Sequence, residues 1–149
     1  MASLTYGAIV DIDGTITNID HRVHLAQAKE WDAFHGLCHQ DKPVVEMVRL
    51  VNSLYHNQYH ILLLTGRNER YREKTIDWLE DNDVMYDYLV MRPDEDWTSD
   101  AIIKPNMFDR HAQAFPHINW QFAIDDRTRV IEAWRKRGML ALQCAEGAF

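Results

Sequence analysis

The stretch Ala-Ile-Val-Asp-Ile-Asp-Gly-Thr, residues 8–15, constrains the possible folds of this chain more than any other. Its first three residues are apolar and partly β-branched, which is typical of a strand buried on both faces. Because side chains two residues apart lie on the same side of a strand, Asp11 and Asp13 are predicted to face one point beyond its carboxyl end. In an open parallel sheet that edge binds ligands. Two carboxylates that face one point need a cation or a shared proton.

Residues 8–15 have two other possible interpretations. A lone pair of alternating aspartates is more often a turn that ends a strand than a functional site. An EF-hand calcium loop is excluded, because Thr15 and Ile16 stand where that loop needs a third oxygen ligand and a glycine. The functional interpretation therefore depends on three further segments of the chain.

Strand-like and helix-like segments alternate along the rest of the chain, as they do in proteins with parallel sheets. We therefore predict a three-layer, Rossmann-like α/β fold, with helices on both faces of a parallel sheet and little or no cap domain. Later strands are predicted at residues 59–64, 88–91, 120–124 and 139–143. Chemically useful residues follow three of them, and these are Thr65, Gly66, Arg67, Asp100, Lys104, Asp125 and Asp126.

Proline and glycine set the predicted limits of the helices. Pro43 is expected to open a helix, because proline is tolerated in the first turn. Pro105 is expected in the first turn of a helix that begins near Asp100 or Lys104, since proline would break the middle of that helix. Gly138 suits the C-terminal cap of the last helix.

The composition excludes several classes of protein. The 149 residues suit one compact domain, and we expect residues 1–149 to form one. No stretch approaches the roughly 18 apolar residues of a membrane span, and no secretion signal precedes the first strand, so a cytoplasmic protein without membrane partners is expected. The net charge of -7 argues against wrapping long nucleic acid, but not against gripping a single phosphate.

Residues 18–42 are the least regular part of the chain and are rich in histidine and aromatic residues. This segment is a candidate for a small lid. Its histidines offer zinc ligands, but the acids at the strand ends favour Mg²⁺, so surface histidines are the preferred interpretation. Trp31 and Phe34 are expected to pack over the sheet edge rather than to stack on a base. The histidines concerned are His21, His24, His35 and His39.

Four motifs occur in order along nearly the whole chain: DIDGT, LLLTGR, the lysine at position 104, and IDDR. Together they resemble the motifs of the haloacid dehalogenase-like phosphatases. The C-terminal third, from AIDDRTRVIEAWRKRG to residues 147–149, is similar to the 3′-phosphatase domain of bacteriophage polynucleotide kinase-phosphatases. Arg22, Arg67 and Asp100 match further positions of that domain.

The resemblance implies catalytic roles for four residues. Asp11 would attack phosphorus and form an aspartyl-phosphate. Asp13 would protonate the leaving oxygen and later deprotonate water, for which we expect the neighbouring Asp11 to raise its pKa. Lys104 would neutralise charge on the phosphoryl group, and Asp125 would orient Lys104.

The resemblance also implies a Mg²⁺ site. The ion would be bound by the Asp11 carboxylate, the Asp13 backbone carbonyl and the Asp126 carboxylate. Oxygen ligands without thiolates suit this ion, so the residue types agree with the implied site.

Five residues are implied to bind substrate. The Thr65 hydroxyl and the Gly66 backbone would hold phosphate oxygens. Arg22 and Arg67 are expected at the mouth of the site, where their guanidinium groups would grip the phosphate or its neighbour. Asp100 is a further substrate-binding position of the same pattern.

These roles describe a Mg²⁺-dependent phosphomonoesterase, and the resemblance favours a polynucleotide 3′-phosphatase whose substrate is a nucleic acid end or a nucleotide. A 5′-nucleotidase or another small-molecule phosphatase of the same fold is the nearest alternative. An open site favours a bulky nucleic acid end, whereas a lid made by residues 18–42 would favour a mononucleotide. A non-catalytic binding module is an alternative of another class, but the presence of both Asp11 and Asp13 argues against it.

Overall fold

The computed structural model describes residues 4–147 and residue 149. Within these residues, five parallel strands form a central sheet and two very short strands form an antiparallel pair. The central strands are β1 (Thr5–Val10), β4 (His60–Asn68), β5 (Tyr88–Arg92), β6 (Ile118–Asp125) and β7 (Leu140–Gln143), and the pair is β2 (Thr17–Asn18) with β3 (Lys42–Pro43). The order across the sheet is β5-β4-β1-β6-β7, so β1 is the central strand.

Helices connect the strands. They are α1 (Val23–Gln27), α2 (Trp31–Gly36), α3 (Val45–His56), α4 (Arg72–Asp81), α5 (Asp100–Ala114) and α6 (Thr128–Lys136), with single 3₁₀ turns at Cys38–Gln40 and Glu69–Tyr71. None of the helices in the described part of the chain is long and apolar enough to cross a membrane.

The central strand β1 shows how the sheet divides the core. Val10 faces one side, where it belongs to a cluster with Val51 of α3 and Leu79 of α4. Ile9 faces the other side, in a cluster with residues of α5 and with Trp134 of α6. Burying each of these side chains contributes about 1.5–3 kcal/mol to folding. Helices therefore cover both faces of the sheet, and the predicted three-layer α/β fold is confirmed.

Residues 18–42 fold into a small unit of their own. The β2–β3 pair joins the two ends of the unit. Ile19, Ala26 and Phe34 form its buried cluster. Its two short helices are separated at Lys29, whose φ of 59° lies in the left-handed region. Apart from this unit, the described residues carry no insertion that forms a cap, as predicted.

Two helix starts differ from the sequence-based expectation. Pro43 lies in β3, opposite Thr17, and α3 begins only at Val45. Helix α5 begins at Asp100, which places Pro105 in the second turn rather than the first. Proline at this position has no N–H to donate to the Ala101 carbonyl, so α5 lacks one of its hydrogen bonds there.

The C-terminal cap of α6 is as expected. Gly138 has a φ of 80°, which glycine adopts without steric cost. Its N–H donates to the Arg135 carbonyl at 3.0 Å, and the N–H of Met139 donates to the Trp134 carbonyl at 3.1 Å. These bonds satisfy carbonyl groups that the helix end would otherwise leave free.

Candidate active site

The carboxyl edge of the sheet brings together side chains from separate segments, as the parallel strands predict. Asp11 follows β1, Gly66 lies near the end of β4, and Lys104 lies in the second turn of α5. These three residues and Asp13 line one cavity of about 390 Å³. Asp125, the last residue of β6, is buried directly beside Lys104. The predicted convergence of the strand ends is therefore observed.

Lys104 joins two of the acids. Its Nζ donates to Asp11 Oδ1 and to Asp125 Oδ2, both at 2.7 Å, and the lysine side chain is only 2% exposed. Burial alone would lower the pKa of Lys104, but the charges of Asp11 and Asp125 outweigh burial and raise it. The second oxygen of Asp11, Oδ2, accepts from the Thr15 hydroxyl at 2.9 Å. Asp11 is therefore held by both of its oxygens beside a charged ammonium group.

Asp11, Asp125 and Asp126 form a buried acidic cluster, with one oxygen of each lying within 4.8 Å of the others. Asp125 is already engaged, because Oδ2 accepts from Lys104 and Oδ1 accepts from the Arg127 N–H at 3.0 Å. Asp126 Oδ1, in contrast, is buried and has no hydrogen-bond partner among the described residues. Such an oxygen is costly to bury unless a cation or proton meets it.

Burial raises the pKa of two acids of this cluster. Burial, together with the charges of Asp11 and Asp125, raises the pKa of Asp126 to about 9. Burial and the charge of Asp125 raise the pKa of Asp11 to about 7, although Lys104 opposes this shift. An all-carboxylate cluster with an orphaned oxygen fits a hard divalent cation such as Mg²⁺, which would replace these protons.

Asp13 turns away from this cluster and into a buried network with two arginines. Arg22 Nη2 donates to Asp13 Oδ1 at 2.5 Å, and Arg67 Nη2 donates to the same oxygen at 2.7 Å. Arg67 Nε also contacts both Asp13 oxygens, at 3.0 and 3.1 Å. On its other side Arg22 is held by Asp41, through Nε at 2.7 Å and Nη2 at 2.5 Å. Two cations and two anions thus alternate in the interior.

This network corrects two expectations. Arg22 and Arg67 do not lie at the mouth of the site, because both are fully buried behind Asp13. The pKa of Asp13 is not raised: burial would raise it, but the charges of Arg67 and Arg22 outweigh burial and hold it well below its ordinary value. Whether the arginines also contact substrate stays a prediction.

Asp41 is a site residue that sequence reasoning missed. It lies after a 3₁₀ turn in the irregular segment and is buried. Besides Arg22, it accepts a hydrogen bond at 2.8 Å from His21 Nε2. The sequence contains only an indirect signal for Asp41. A buried arginine needs a buried acid as its partner, but the sequence does not indicate which of its acids takes that place.

Gly66 and Asp100 are close neighbours at the rim of the cavity. A Cβ at position 66 would come within 2.7 Å of Asp100 Oδ1, so a larger residue would have to displace the Asp100 carboxylate. Asp100 pairs with Arg92 and, at 2.7 Å, with Arg127 Nη1. The Thr65 hydroxyl accepts from the Arg67 N–H at 3.1 Å. The structure places these residues at one sheet edge, and their contacts with substrate stay predictions.

Residues 18–42 supply part of the cavity wall. Trp31 and Phe34 pack edge to face, with ring centroids 5.9 Å apart, and both line the cavity, so whether they also stack on a base stays a prediction. His35 lines the same cavity and is buried, and its Nδ1 has no hydrogen-bond partner among the described residues. Burial lowers the pKa of His35 to about 4, so its ring is neutral. Phe149 packs on Phe34 at 5.5 Å and completes this wall.

Comparison with known families agrees with this geometry. The family model for the polynucleotide kinase PNKP phosphatase domain matches residues 6–149, which is nearly the whole chain. The chain belongs to this phosphatase domain family. The phosphatase domain is therefore an enzyme domain with the haloacid dehalogenase-like fold, as the four sequence motifs predicted, and the non-catalytic alternative is set aside.

Two solved structures of RNA repair assemblies contain a similar chain. The Pnkp1/Rnl/Hen1 RNA repair complex matches with 28% identity and a TM-score of 0.85, over 98% of this chain and 44% of that chain. A second structure of the Pnkp1/Rnl/Hen1 complex matches with 29% identity and the same TM-score, over 100% of this chain and 49% of that one. The phosphatase domain thus spans less than half the length of these relatives.

A more distant structure shares the fold. D,D-heptose 1,7-bisphosphate phosphatase from B. bronchiseptica, complexed with magnesium and phosphate, matches with 16% identity and a TM-score of 0.63, over 96% of this chain and 83% of that chain. At this identity the match concerns the fold alone.

Proposed function

We propose that the phosphatase domain removes phosphate from the 3′ ends of nucleic acids, with Mg²⁺ as cofactor and Asp11 as nucleophile. The observation that carries the proposal is the position of Asp11. Its Oδ1 accepts from Lys104 at 2.7 Å, beside the unpartnered oxygen of Asp126, and it lines an open cavity. A nucleophile, a cation for phosphoryl oxygens and a free metal ligand thus lie together.

Asp11 and Asp13 divide the chemistry between them. In the first step an Asp11 oxygen attacks phosphorus, the bond to the substrate's 3′ oxygen breaks, and Asp13 supplies the proton that this oxygen takes up. In the second step water attacks phosphorus and gives its proton to Asp13, while the bond from phosphorus to Asp11 breaks. Because Arg67 and Arg22 hold the pKa of Asp13 low, its carboxylate form suits the second step. To serve as the acid of the first step, it must gain a proton as its arginine contacts loosen.

Asp126 and Asp11 would hold the Mg²⁺ ion through carboxylate oxygens, with the Asp13 backbone carbonyl as a third ligand. The bound ion supplies positive charge to the phosphoryl oxygens. Asp125 is the weaker candidate for a ligand, because both of its oxygens are already engaged with Lys104 and the Arg127 N–H. Its role is to keep Lys104 pointed at Asp11.

A bound Mg²⁺ ion would suit the cavity to an anionic substrate. The cavity is lined by four cationic side chains, Lys29, Arg92, Lys104 and Arg127, and by four acids, Asp11, Asp13, Asp96 and Asp100, so that the ion would give it a net positive charge. Relatives that share 28–29% identity belong to RNA repair complexes, which supports a nucleic acid end as the substrate. Together these features favour an end-on polynucleotide over a free 5′-mononucleotide.

A phosphate-release panel tests the proposal. The wild-type domain and the Asp11→Asn variant would be assayed on a 3′-phosphorylated oligonucleotide, the same oligonucleotide with a 5′-phosphate, a 3′-mononucleotide and a 5′-mononucleotide. The wild type should release phosphate fastest from the 3′-phosphorylated oligonucleotide, and excess chelator should stop the reaction until Mg²⁺ is restored.

Asp11→Asn is the matched control, because an amide is isosteric with the carboxylate but cannot attack phosphorus. It should show no turnover while keeping a cooperative thermal transition. Turnover at the wild-type rate in this variant would exclude the covalent mechanism. Faster hydrolysis of the 5′-mononucleotide would replace the proposed function with that of a nucleotidase.

A further inference from the structure

Trp97 stands out on the rim of the active-site cavity. Its side chain is 67% exposed, more than that of any other large apolar residue that the structure describes. It lines the cavity above Asp11, yet its indole has neither a ring contact nor a hydrogen bond with any described residue. Large aromatic side chains normally gain stability from burial, so an indole left free beside a binding site is suited to a ligand.

The backbone on either side of Trp97 is firmly held. Arg92 Nη1 donates to the carbonyl oxygens of Asp96 at 3.0 Å and Thr98 at 2.5 Å, the two neighbours of Trp97. The Thr98 N–H also donates to Asp96 Oδ1 at 3.0 Å. Arg92 Nε donates in turn to the Gly66 carbonyl at 2.9 Å. The free indole is therefore carried at a fixed place relative to the predicted phosphate-binding turn.

A second part of the cavity wall offers a polar atom with no protein partner. His35 is buried and its ring contacts Trp31, with centroids 6.2 Å apart, and Tyr71, with centroids 5.6 Å apart. These contacts hold the ring in the wall, while its Nδ1 finds no hydrogen-bond partner among the described residues. Buried polar atoms in native proteins are nearly always paired, so the Nδ1 of this cavity-lining residue calls for a partner that the described residues do not supply, such as water or a ligand.

We propose that the cavity binds the terminal nucleoside of the substrate, with its base stacked on Trp97 and one of its polar atoms hydrogen-bonded to His35 Nδ1. This inference rests on the proposed function and deepens it. A base suits a free indole because every base has a π-face, and stacking of this kind tolerates any sequence. The cavity volume of about 390 Å³ is that of a small-molecule binding pocket. It therefore holds one nucleoside and leaves the rest of the strand outside.

The test compares two oligonucleotides that differ only in the last base. One ends in an ordinary 3′-phosphorylated nucleotide, and the other ends in an abasic 3′-phosphate. Trp97→Ala should lower kcat/KM on the first about five- to a hundredfold, the worth of one base–aromatic stack, and should leave the abasic substrate nearly unchanged. Trp97→Phe keeps a smaller aromatic ring, so its kcat/KM on the ordinary oligonucleotide should lie between those of the wild type and Trp97→Ala.

Leu140→Ala is the matched control for the loss of an exposed apolar side chain, because Leu140 is 61% exposed on β7 and does not line the cavity. It should behave like wild type on both oligonucleotides. Equal losses by Trp97→Ala on both substrates, or no loss on either, would overturn the stacking role while leaving the proposed function intact. A wild type that releases no phosphate from either oligonucleotide would overturn the proposed function, and this inference with it.

His35→Phe tests the polar contact, because it keeps a ring in the wall and removes Nδ1. It should lower kcat/KM on the ordinary oligonucleotide about two- to tenfold, as expected for one neutral hydrogen bond, and leave glycerol phosphate unaffected. Equal losses on both would assign His35 a structural role instead.

Binding measured without turnover gives an independent readout. Adding the 3′-phosphorylated oligonucleotide to Asp11→Asn in Mg²⁺ should quench tryptophan fluorescence, and the additional Trp97→Phe substitution should remove most of the quench. An unchanged quench would contradict stacking on Trp97.

Discussion

Gly14 and Asp126 lie so close together that a Cβ on residue 14 would come within 2.3 Å of Asp126 Oδ2. The backbone of Gly14 also has a φ of 81°, in the region that favours glycine. Gly14 therefore combines a backbone conformation that favours glycine with a close approach to the predicted metal ligand Asp126. The turn after β1 and the turn after β6 fit together only because position 14 has no side chain.

Gly14→Ala is expected to remove most activity and to weaken folding. The positive φ alone costs about 1–2 kcal/mol for a residue with a Cβ, and displacement of Asp126 adds to that cost. The measurements are phosphate release at saturating Mg²⁺ and the free energy of unfolding in urea.

Gly138→Ala provides a control that separates strain from displacement. Gly138 has a nearly identical φ of 80°, but nothing lies within 4 Å of the position that its Cβ would take. It should lose about 1–2 kcal/mol of stability and keep its activity. Equal activity losses in the two variants would mean that the contact with Asp126 has no special role.

Asp126→Ala should weaken Mg²⁺ binding more than Asp125→Ala does. Asp126 offers an unpartnered buried oxygen, whereas both Asp125 oxygens are already engaged. We expect Asp126→Ala to reduce Mg²⁺ affinity by at least about tenfold, the loss seen even for residues that only support metal ligands. Calorimetric titration of the metal-free variants with Mg²⁺ measures this, and the reverse order would exchange the two roles.

Arg22→Met should destabilise the fold strongly, because it leaves Asp13 and Asp41 buried with less compensation. Removing one partner from a buried ion pair costs about 3–5 kcal/mol. Arg70→Met is the surface comparison, since the Arg70–Asp32 pair spans 3.4 Å between exposed side chains. It should cost less than about 1 kcal/mol. Urea unfolding of both variants measures the loss in the free energy of unfolding. Similar losses for the two variants would contradict a tightly coupled network.

A histidine pair at the opposite end of the sheet should make stability depend on pH. His60 Nε2 and His111 Nε2 lie 3.1 Å apart, and burial together with His60 lowers the pKa of His111 to about 4. The folded state thus keeps His111 neutral, while the unfolded chain binds a proton below about pH 6.5. The stability that this neutral ring provides is present above pH 6.5 and is lost as the pH falls toward 4.

His111→Phe should therefore flatten the fall in Tm between pH 7 and pH 4.5, as measured by thermal scans at several pH values. His39→Phe, which replaces an exposed ring, controls for the removal of a histidine as such. A wild-type Tm that does not decline across this range, or an unchanged slope in His111→Phe, would count against the pair as the source.

The arrangement of the strand ends could be predicted from the sequence because it follows from strand direction alone. Once β1 and β6 are parallel neighbours, Asp11 and Asp125 must meet at one edge. Lys104 could be placed near them because α5 starts at that same edge, even though Pro105 lies in the second turn of α5 and not in the first. The positions of these residues could be predicted from local sequence patterns and from the rule that the carboxyl ends of parallel strands share one edge of the sheet.

The surroundings of Asp13 could not be predicted in the same way. Its low pKa depends on how close two guanidinium groups come, and Arg67 is 54 residues away in sequence. Asp41 and Arg22 meet only after the irregular segment between them has folded. Sequence spacing predicts which residues reach a sheet edge, but side-chain packing decides which of them become partners.

The buried charge network constrains how the sequence can change during evolution. Its members are Asp13, Arg22, Asp41 and Arg67. Its two positive and two negative charges cancel, and every one of them is buried. Any single replacement leaves a charge in the interior without its partner, which selection would remove through loss of folded protein. A lineage that abandons one of the four must therefore replace others at nearly the same time. Among descendants of a common ancestor, these positions should be kept together or lost together.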